Sequence, residues 1–296
     1  MKLYYHRPAR ANVGDDLNAV IWREVFPEYP DFDMADWLIG AGTILDRRLH
    51  ALPGQKLVVG AGYRPGQRTL RFGRDVFFAG VRGKLSAASL GLAPDRVACD
   101  PAFVFARHAT GRSRTSGDVG FVPHIYSEER TGIAAAAAAA GLEVISPGLA
   151  PGEFVRRLDR CARVYCEAMH GAILADALRV PWARVRVSAH FYEGDGVNDF
   201  KWRDAFSVLG VDVTPVNQVG LVPLKRSWPA MGVILQPVQI LAENRLASLL
   251  YRLRDAPLFQ LSAEARLLER VDDFFQRVDR IRDWEAAQGV AAVQSS

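Results

Sequence analysis

The chain has 296 residues, which is long enough to form two domains with buried cores. Hydrophobic residues make up 49 % and charged residues 24 %, a composition typical of globular proteins that excludes disordered and fibrous classes. The net charge of +4 suits an anionic partner, such as a phosphate compound, an acidic glycan or a membrane surface. Arginines supply this charge without forming a dense run, so we expect no nucleic-acid partner.

The cysteines and the N-terminal segment predict the compartment. Cys99, Cys161 and Cys166 are odd in number and lack the paired spacing of a disulfide framework or a zinc site. This pattern favours a reducing environment. The first ten residues contain no long apolar run, and no stretch reaches the ~18 consecutive apolar residues of a membrane-spanning helix. We therefore predict a cytoplasmic protein.

The first half of the chain alternates short apolar strands with amphipathic helices. The predicted strands are Leu3–Tyr5, Trp37–Ile39, Lys56–Val59 and Val76–Val81, and the predicted helices are Asp16–Val25 and Lys84–Leu90. Strands that alternate with helices in this way form a parallel sheet with helices on its faces. The polar, unpatterned segment Arg107–Gly117 is the best candidate for a linker.

The βαβ pattern resumes after this linker. Strands are predicted at Val119–Val122, Leu142–Ile145 and Val164–Cys166, with helices through the alanine run to Ala140, at Phe154–Arg160 after Pro151, and at Ala172–Leu178. From Pro237 to Trp284 the pattern is helical. One apolar face there carries Leu241, Leu246, Leu249, Leu250 and Leu253. A helix pair packed on the sheets explains it better than a partner-binding coiled coil. The tail after Gln288 is predicted to be disordered.

The segment Cys161–Val185 contains the strongest candidate site. A strand ends at Glu167, and His170 follows at the start of a helix. The carboxyl ends of strands are where open α/β sheets bind ligands, and a helix N-terminus attracts anions. Glu167 and His170 are therefore candidate acid–base groups of an anion-binding active site. A core or capping role is the alternative for His170.

Other polar residues also follow predicted strands. Arg82 ends one strand, and its guanidinium either binds a phosphate or carboxylate or is exposed on a loop. Ser86 either adds a hydroxyl group to that site or caps the next helix. Asn12 and Asp15 follow the first strand, and they either orient ligand hydroxyl groups in a cleft or shape the start of a helix.

Two further groups are candidates in the second half. His124 and Asp100 each come after an apolar run, and either could act as a general acid or base. For Asp100 a turn before proline is the alternative. A polar cluster comprises Glu193, Asp195, Asn198, Lys201 and Trp202. It either binds sugar hydroxyl groups, with Trp202 or Tyr192 stacking on a sugar ring, or is a solvated loop.

Several common motifs are missing or incomplete. Gly40-Ala41-Gly42 lacks the third glycine of G-x-G-x-x-G because Leu45 occupies that position, which disfavours a dinucleotide site. Gly42 either lets a ligand approach the backbone or forms a tight turn. No P-loop occurs, and no set of ligands has metal spacing, so we predict neither a cofactor nor a metal. Cys166 lies four residues before His170, but a small buried thiol explains it better than a nucleophile does.

The segment Glu167–Pro181 is similar to the signature of polysaccharide pyruvyltransferases, in the branch that forms ketals on exopolysaccharides. Further matching segments follow the order of the family: Asn12–Asn18, Leu38–Thr43, Val81–Ser86, Asp100–Ala102, Phe121–His124, and His190–Asp195 through Trp202. The ordered set is specific, although no single segment is. Many members have Arg-Leu-His where this chain has Ala168-Met169-His170, so either another cation replaces the arginine or the phosphate is held more loosely. Arg163, Arg179 and Arg184 are the nearest in sequence.

The resemblance implies a fold and a reaction. We expect two Rossmann-like lobes in a glycosyltransferase-B-like arrangement, covering residues 1–110 and 118–236, with C-terminal helices over 237–287. The expected reaction moves pyruvate from phosphoenolpyruvate, as co-substrate, to two hydroxyl groups of one sugar and releases phosphate. In this interpretation His170 and Arg82 contact the donor, and residues such as Gly171, Glu193 and Lys201 complete the site.

The acceptor would be a sugar of an exopolysaccharide or of its lipid-linked oligosaccharide precursor, which also allows peripheral association with the inner membrane. Two other functions fit the residues. A glycosyltransferase of the same fold would bind a nucleotide sugar instead of phosphoenolpyruvate. A non-catalytic accessory protein of polysaccharide assembly would bind a glycan or phosphate without releasing phosphate.

Overall fold

The computed structural model describes residues 1–66, 70–109, 111, 117–128, 133–188, 193–213, 217–221, 244–245, 247–248, 251 and 259–294. The first sheet contains β1 (Lys2–Tyr4), β2 (Trp37–Ile39), β3 (Lys56–Ala61) and β4 (Val76–Val81), paired in that order and all parallel. Its helices include α1 (Val13–Val25) and α2 (Lys84–Leu90). The predicted parallel sheet is confirmed, and β2, β4 and α2 have their predicted bounds.

The second sheet contains β5 (Val119–Val122), β6 (Glu143–Val144), β7 (Arg163–Cys166), β8 (Trp182–Ser188) and β9 (Asn217–Leu221). Its helices are α3 (Ile125–Glu128), α4 (Ile133–Ala139), α5 (Pro151–Arg160), α6 (Met169–Ala177) and α7 (Asp195–Phe206). The strands are parallel in the order β6-β5-β7-β8-β9. The chain therefore reverses direction across the sheet between β5 and β7, and such a reversal opens a crevice at the strands' carboxyl ends.

The structure differs from the sequence predictions in several elements of this half. Helix α6 begins at Met169 instead of Ala172, and no helix was predicted at α3. Residues 195–206 were interpreted as a polar loop but form α7, whose inward face carries the polar residues Asn198 and Asp204 as well as Trp202. Buried polar groups conceal the apolar periodicity of such a helix. Strand β9 was not predicted.

The predicted linker and C-terminal helices are only partly described. Arg107 and His108 end the 3-10 helix Pro101–His108, and most of the linker after them lies outside the described residues. The five leucines of the expected apolar face and Tyr192 also lie outside them. The last helix, α8, spans Glu264–Gln294 and thus continues beyond Gln288, where a disordered tail was predicted.

Helix α8 returns to the first sheet. Its buried residues recur every three or four positions and join the core beside α1: Leu267, Val271, Phe274, Val278 and Ile281. The buried side chain of Arg277 donates hydrogen bonds to the carbonyl oxygens of Ala79, at 2.7 Å, and Val97, at 3.1 Å. Helix α8 thereby closes the far side of the first sheet. No helix in the described part of the chain is long and apolar enough to cross a membrane.

Candidate active site

A cavity of about 890 Å³ opens at the carboxyl ends of strands from both sheets. Its volume is in the upper part of the range usual for small-molecule sites, about 300–1,000 Å³. Residues of the first half that line it include Asn12, Gly14, Asp15, Gly42, Thr43, Arg47, Arg48 and Arg64. Residues of the second half include His124, Tyr126, Ala168, His170, Glu193 and Lys201. Of the predicted site residues, seven line the cavity: Asn12, Asp15, Gly42, His124, His170, Glu193 and Lys201.

Helices α1 and α6 bring Asp15 and His170 together. His170 is the second residue of α6, and its imidazole packs on Gly14 in the first turn of α1. Asn12 fixes that turn, because its side-chain amide donates to Asp15 Oδ2 at 2.6 Å and its backbone N–H donates to Asp16 Oδ2 at 3.0 Å. Asn12 and Asp16 therefore shape the helix start, while Asp15 also lines the cavity.

The pKa values of this pair shift in opposite directions. Burial raises the pKa of the Asp15 carboxyl above its usual value, although Asn12 and His170 partly oppose this shift. Burial lowers the pKa of His170, and the positive charges of Lys201 and Arg82 lower it further. The negative charges of Asp100 and Asp15 oppose this shift. Both shifts disfavour the charged form of the group, which makes Asp15 a candidate acid and His170 a candidate base.

Lys201 supplies a cation at the same end of the cavity. It projects from α7 and forms an ion pair with Glu193, which also accepts a hydrogen bond from Asn198 at 2.8 Å. Burial alone would raise the pKa of Glu193, but Lys201, Asn198 and His124 together lower it. Glu193 is therefore an anion that holds Lys201 in place.

Four arginines on the wall formed by the first half were not identified from the sequence: Arg10, Arg47, Arg48 and Arg64. The Arg48 side chain donates to the Asp46 carboxylate, from Nε to Oδ1 at 2.9 Å and to Oδ2 at 3.0 Å, and from Nη2 to Oδ2 at 2.6 Å. Within the described ranges, Arg47 and Arg64 form no ion pair. They follow β2 and β3 without any motif, so only the folded structure shows that they face the cavity.

The arginine missing at Ala168 is not replaced by its neighbours in sequence. The guanidinium of Arg163 lies over the ring of Phe259, and that of Arg179 bonds to Ser262. Arg184 is buried and bonds to the Val213 carbonyl oxygen and the Asn198 side chain. None of the three lines the cavity, whereas Lys201 does. Lys201 is thus a cation of the cavity wall that lies close enough to His170 to influence its charge.

Arg82 and Ser86 do not line the cavity, contrary to expectation. Arg82 Nε lies 3.0 Å from Asp204 Oδ2 on α7, and both side chains are 0 % exposed. Ser86 donates to the same carboxylate from its backbone N–H, at 2.8 Å, and from its hydroxyl group, at 2.6 Å. These residues form a buried joint between the two halves. Thr43, which accepts a hydrogen bond from Arg82 Nη1 at 2.8 Å, connects the joint to the cavity wall.

Trp202 and Gly171 also have packing roles. Trp202 is 0 % exposed and packs against Trp182 and Phe206, so it cannot stack on a sugar in the cavity. A Cβ atom added to Gly171 would lie 2.9 Å from Val122 Cγ1, so glycine is needed there for α6 to pack closely on β5. Neither residue therefore makes the substrate contact that was expected of it.

Glu167 connects the loop after β5 to β8 by accepting hydrogen bonds from their backbone N–H groups. Its carboxylate accepts backbone hydrogen bonds from His124, at 3.0 Å, and Val187, at 2.9 Å, and the side chain is fully buried. It therefore holds the loop that carries His124 and does not reach the cavity. Cys166 is also buried, and burial raises the pKa of its thiol, which argues against a nucleophile.

Gly42 lines the cavity and has a φ of +127°, a conformation that favours glycine. Its carbonyl oxygen accepts the Gly62 N–H at 2.8 Å. The turn therefore explains this glycine, and it also leaves backbone open to the cavity. Among the residues that the structure describes, no cluster of His, Cys, Asp and Glu side chains is arranged to hold a metal ion.

Together these features define an α/β protein with an acid–base pair and cations in a cavity between two parallel sheets. The polysaccharide pyruvyl transferase family model matches residues 59–188. The succinoglycan biosynthesis protein ExoV of Rhizobium meliloti (strain 1021) is 35 % identical over 217 residues, which are 73 % of this chain and 67 % of that protein. No solved structure matches the chain. The chain belongs to the polysaccharide pyruvyl transferase family and is a pyruvyltransferase enzyme.

Proposed function

We propose that this enzyme transfers pyruvate from phosphoenolpyruvate to two hydroxyl groups of one sugar, in an exopolysaccharide or its lipid-linked repeat unit. The product is a cyclic ketal, and phosphate is released. Family membership supports pyruvyl transfer in polysaccharide synthesis. The observation that carries the donor assignment is the inner end of the cavity, where Asp15, His170 and Lys201 combine an acid, a base and a cation.

The donor carries a phosphate and a carboxylate, and both need positive partners. Lys201 and the first-turn N–H groups of α6 supply them at the inner end. Glu193 keeps the ammonium group of Lys201 oriented until the donor arrives. This arrangement takes over the role of the arginine that family members have at the position of Ala168.

The reaction needs two placed proton transfers. Asp15, whose pKa is raised, protonates the methylene carbon of the donor, and positive charge develops at the adjacent carbon and its oxygen. Neutral His170 takes the proton of the first sugar hydroxyl group as its oxygen attacks that carbon. The bond from this carbon to the phosphate oxygen then breaks. The second hydroxyl group closes the ring, and its proton leaves with phosphate.

The remaining volume of the cavity suits the acceptor. Tyr126, on α3, is the described aromatic residue of the cavity wall, and its side chain is 37 % exposed. Its ring lies 5.5 Å from that of His124. A sugar ring stacks on such a surface, so Tyr126 takes the role first expected of Trp202. Arg47 and Arg64 on the opposite half add donors for hydroxyl or anionic groups of the acceptor.

The two sheets support a glycosyltransferase-B-like arrangement of lobes over residues 1–110 and 118–236, with the shared cavity as the cleft. The three cysteines are free and buried, as is compatible with a reducing compartment. We place the reaction at the cytoplasmic side of the inner membrane, where a lipid-linked acceptor would be reached by peripheral association.

The test is phosphate release from phosphoenolpyruvate, with and without lipid-linked oligosaccharides extracted from the source cell. We expect release only with the acceptor, and a ketal methyl signal in the product by NMR. Lys201→Ala should raise the phosphoenolpyruvate concentration needed for half-maximal release. Lys84→Ala, a change at the exposed start of α2, should leave that concentration unchanged. Thermal stabilisation by nucleotide sugars, with none by phosphoenolpyruvate, would refute the proposal and favour glycosyl transfer.

A further inference from the structure

Asp100 has a carboxylate oxygen without a partner in the core. The residue precedes the 3-10 helix Pro101–His108, and its Oδ1 accepts the Ala102 N–H at 3.0 Å. Its Oδ2 has no hydrogen-bond partner among the described residues, and the side chain is 0 % exposed. Capping the helix therefore uses only one of the two oxygens. A buried carboxylate oxygen left without a partner is unfavourable, so the second oxygen needs an explanation.

The second oxygen points towards His170. Asp100 Oδ2 lies 3.9 Å from His170 Nε2, which is also buried without a hydrogen-bond partner. This distance exceeds that of a hydrogen bond, but a shift of about 1 Å would close it. The other ring nitrogen, Nδ1, lies against Gly14, a residue of the cavity wall. The two nitrogens therefore have different surroundings: Nε2 is directed at a buried carboxylate, whereas Nδ1 lies beside Gly14 in the cavity wall.

We propose that Asp100 is a positioning residue that keeps the proton of neutral His170 on Nε2 and leaves the Nδ1 lone pair facing the cavity. This inference rests on the proposed function in one respect, namely that Nδ1 is the atom that accepts the acceptor's hydroxyl proton. In that step the hydroxyl O–H bond breaks and an Nδ1–H bond forms. The oxygen's electron pair makes the new bond to the donor carbon, and Asp100 stabilises the resulting imidazolium.

Charges on four elements face this imidazole. Asp100, before the 3-10 helix, and Asp15, on α1, favour its protonated form. Lys201, on α7, and Arg82, at the end of β4, disfavour it, as does burial. Asp15 lies on the cavity side, where it changes its own protonation during the reaction. Asp100 is therefore the anion that remains available to the imidazolium throughout the cycle.

Asp100→Asn separates this role from capping. Asparagine keeps an oxygen for the Ala102 N–H, but its amide group then faces Nε2 with a donor where the wild type has an acceptor. The variant should therefore favour the opposite tautomer, with the proton on Nδ1, and should lower the pKa of His170. We expect kcat to fall about 100-fold, since a placed proton transfer contributes about 10²–10⁴-fold. The acidic limb of the kcat profile should move to lower pH.

The measurement that does not depend on turnover is 15N NMR of histidine-labelled full-length enzyme, with the His170 signals assigned by His170→Gln. Wild type should show the proton on Nε2, and Asp100→Asn should shift the population towards Nδ1. The control is Asp176→Asn, which changes an equally buried carboxylate bonded to Trp182 and should lower stability without altering His170.

A wild-type imidazole with its proton on Nδ1 would overturn the proposal, whether or not the variants fold. It would also be overturned if Asp100→Asn changed only the melting temperature, as Asp176→Asn should. If the NMR shifts occur but phosphoenolpyruvate is not turned over by wild type, the proposed function fails while the Asp100–His170 contact stands.

Discussion

Gly14→Ala tests whether the position of His170 controls the reaction. A Cβ atom at residue 14 would contact His170 Nδ1 and lie 2.9 Å from Cγ and 3.0 Å from Cε1 of the imidazole. Carbon atoms in good contact are about 3.5–4.0 Å apart, so the ring must move by roughly 1 Å. A misplacement of about 1 Å can slow catalysis about 100-fold, which corresponds to about 2.7 kcal/mol in activation free energy.

The control is Gly152→Ala, because Gly152 also lies in the first turn of a helix but has nothing within 4 Å of an added Cβ. Neither glycine has a positive φ, and alanine in a helix is more favourable by about 0.5–1 kcal/mol. Both variants should therefore remain folded by thermal melting, while only Gly14→Ala loses turnover in the phosphate-release assay. A folded Gly14→Ala enzyme with kcat within about twofold of wild type would refute the catalytic role of His170.

Three other changes give distinct outcomes. Lys201→Ala should raise the KM for phosphoenolpyruvate about tenfold, because one charge-assisted contact is lost, while Lys84→Ala should leave the KM unchanged. Equal KM values for the two variants would show that Lys201 does not bind the donor. Arg82→Met leaves Asp204 buried without its ion-pair partner and should lower the free energy of unfolding by about 3–5 kcal/mol in urea titrations, with little change in donor KM for enzyme that stays folded. A large change in the donor KM with unaltered stability would instead show that Arg82 contacts the donor. Asp15 has a pKa raised above 3.8, so its favourable contribution is complete below that pH and is lost as pH rises through the folded pKa. Asp15→Asn should therefore raise the melting temperature at pH 7 but not near pH 3, and a lower melting temperature at pH 7 would contradict the raised pKa.

The sequence predicted the elements whose apolar pattern is continuous. Strands β2, β4 and β5 carry uninterrupted apolar runs, and their predicted bounds are confirmed. The strand end before Glu167 was also correctly located, whereas α6 begins at Met169, three residues before the predicted start at Ala172. In these segments local pattern and tertiary environment agree, which is why sequence alone was sufficient.

The errors at the site have one physical origin. Whether Arg82 reaches the cavity depends on Asp204, which binds it across a sequence separation of 122 residues. Asp204 lies on α7, a helix whose buried polar residues made it look like a loop. Trp202 on the same helix was misassigned for the same reason. Conversely, Arg47 begins the short 3-10 helix Arg47–Ala51 and Arg64 follows β3, and no periodicity in the sequence predicts the direction of either side chain.

The return of α8 to the first sheet has a consequence for synthesis on the ribosome. Leu267, Val271 and Phe274 complete the core beside Trp22, whose ring lies 6.0 Å from that of Phe274. The first half therefore lacks part of its core until α8 has emerged, so it cannot finish folding ahead of the second half. Nascent chains in which α8 has not yet emerged should expose this apolar surface and be sensitive to protease and dependent on chaperones.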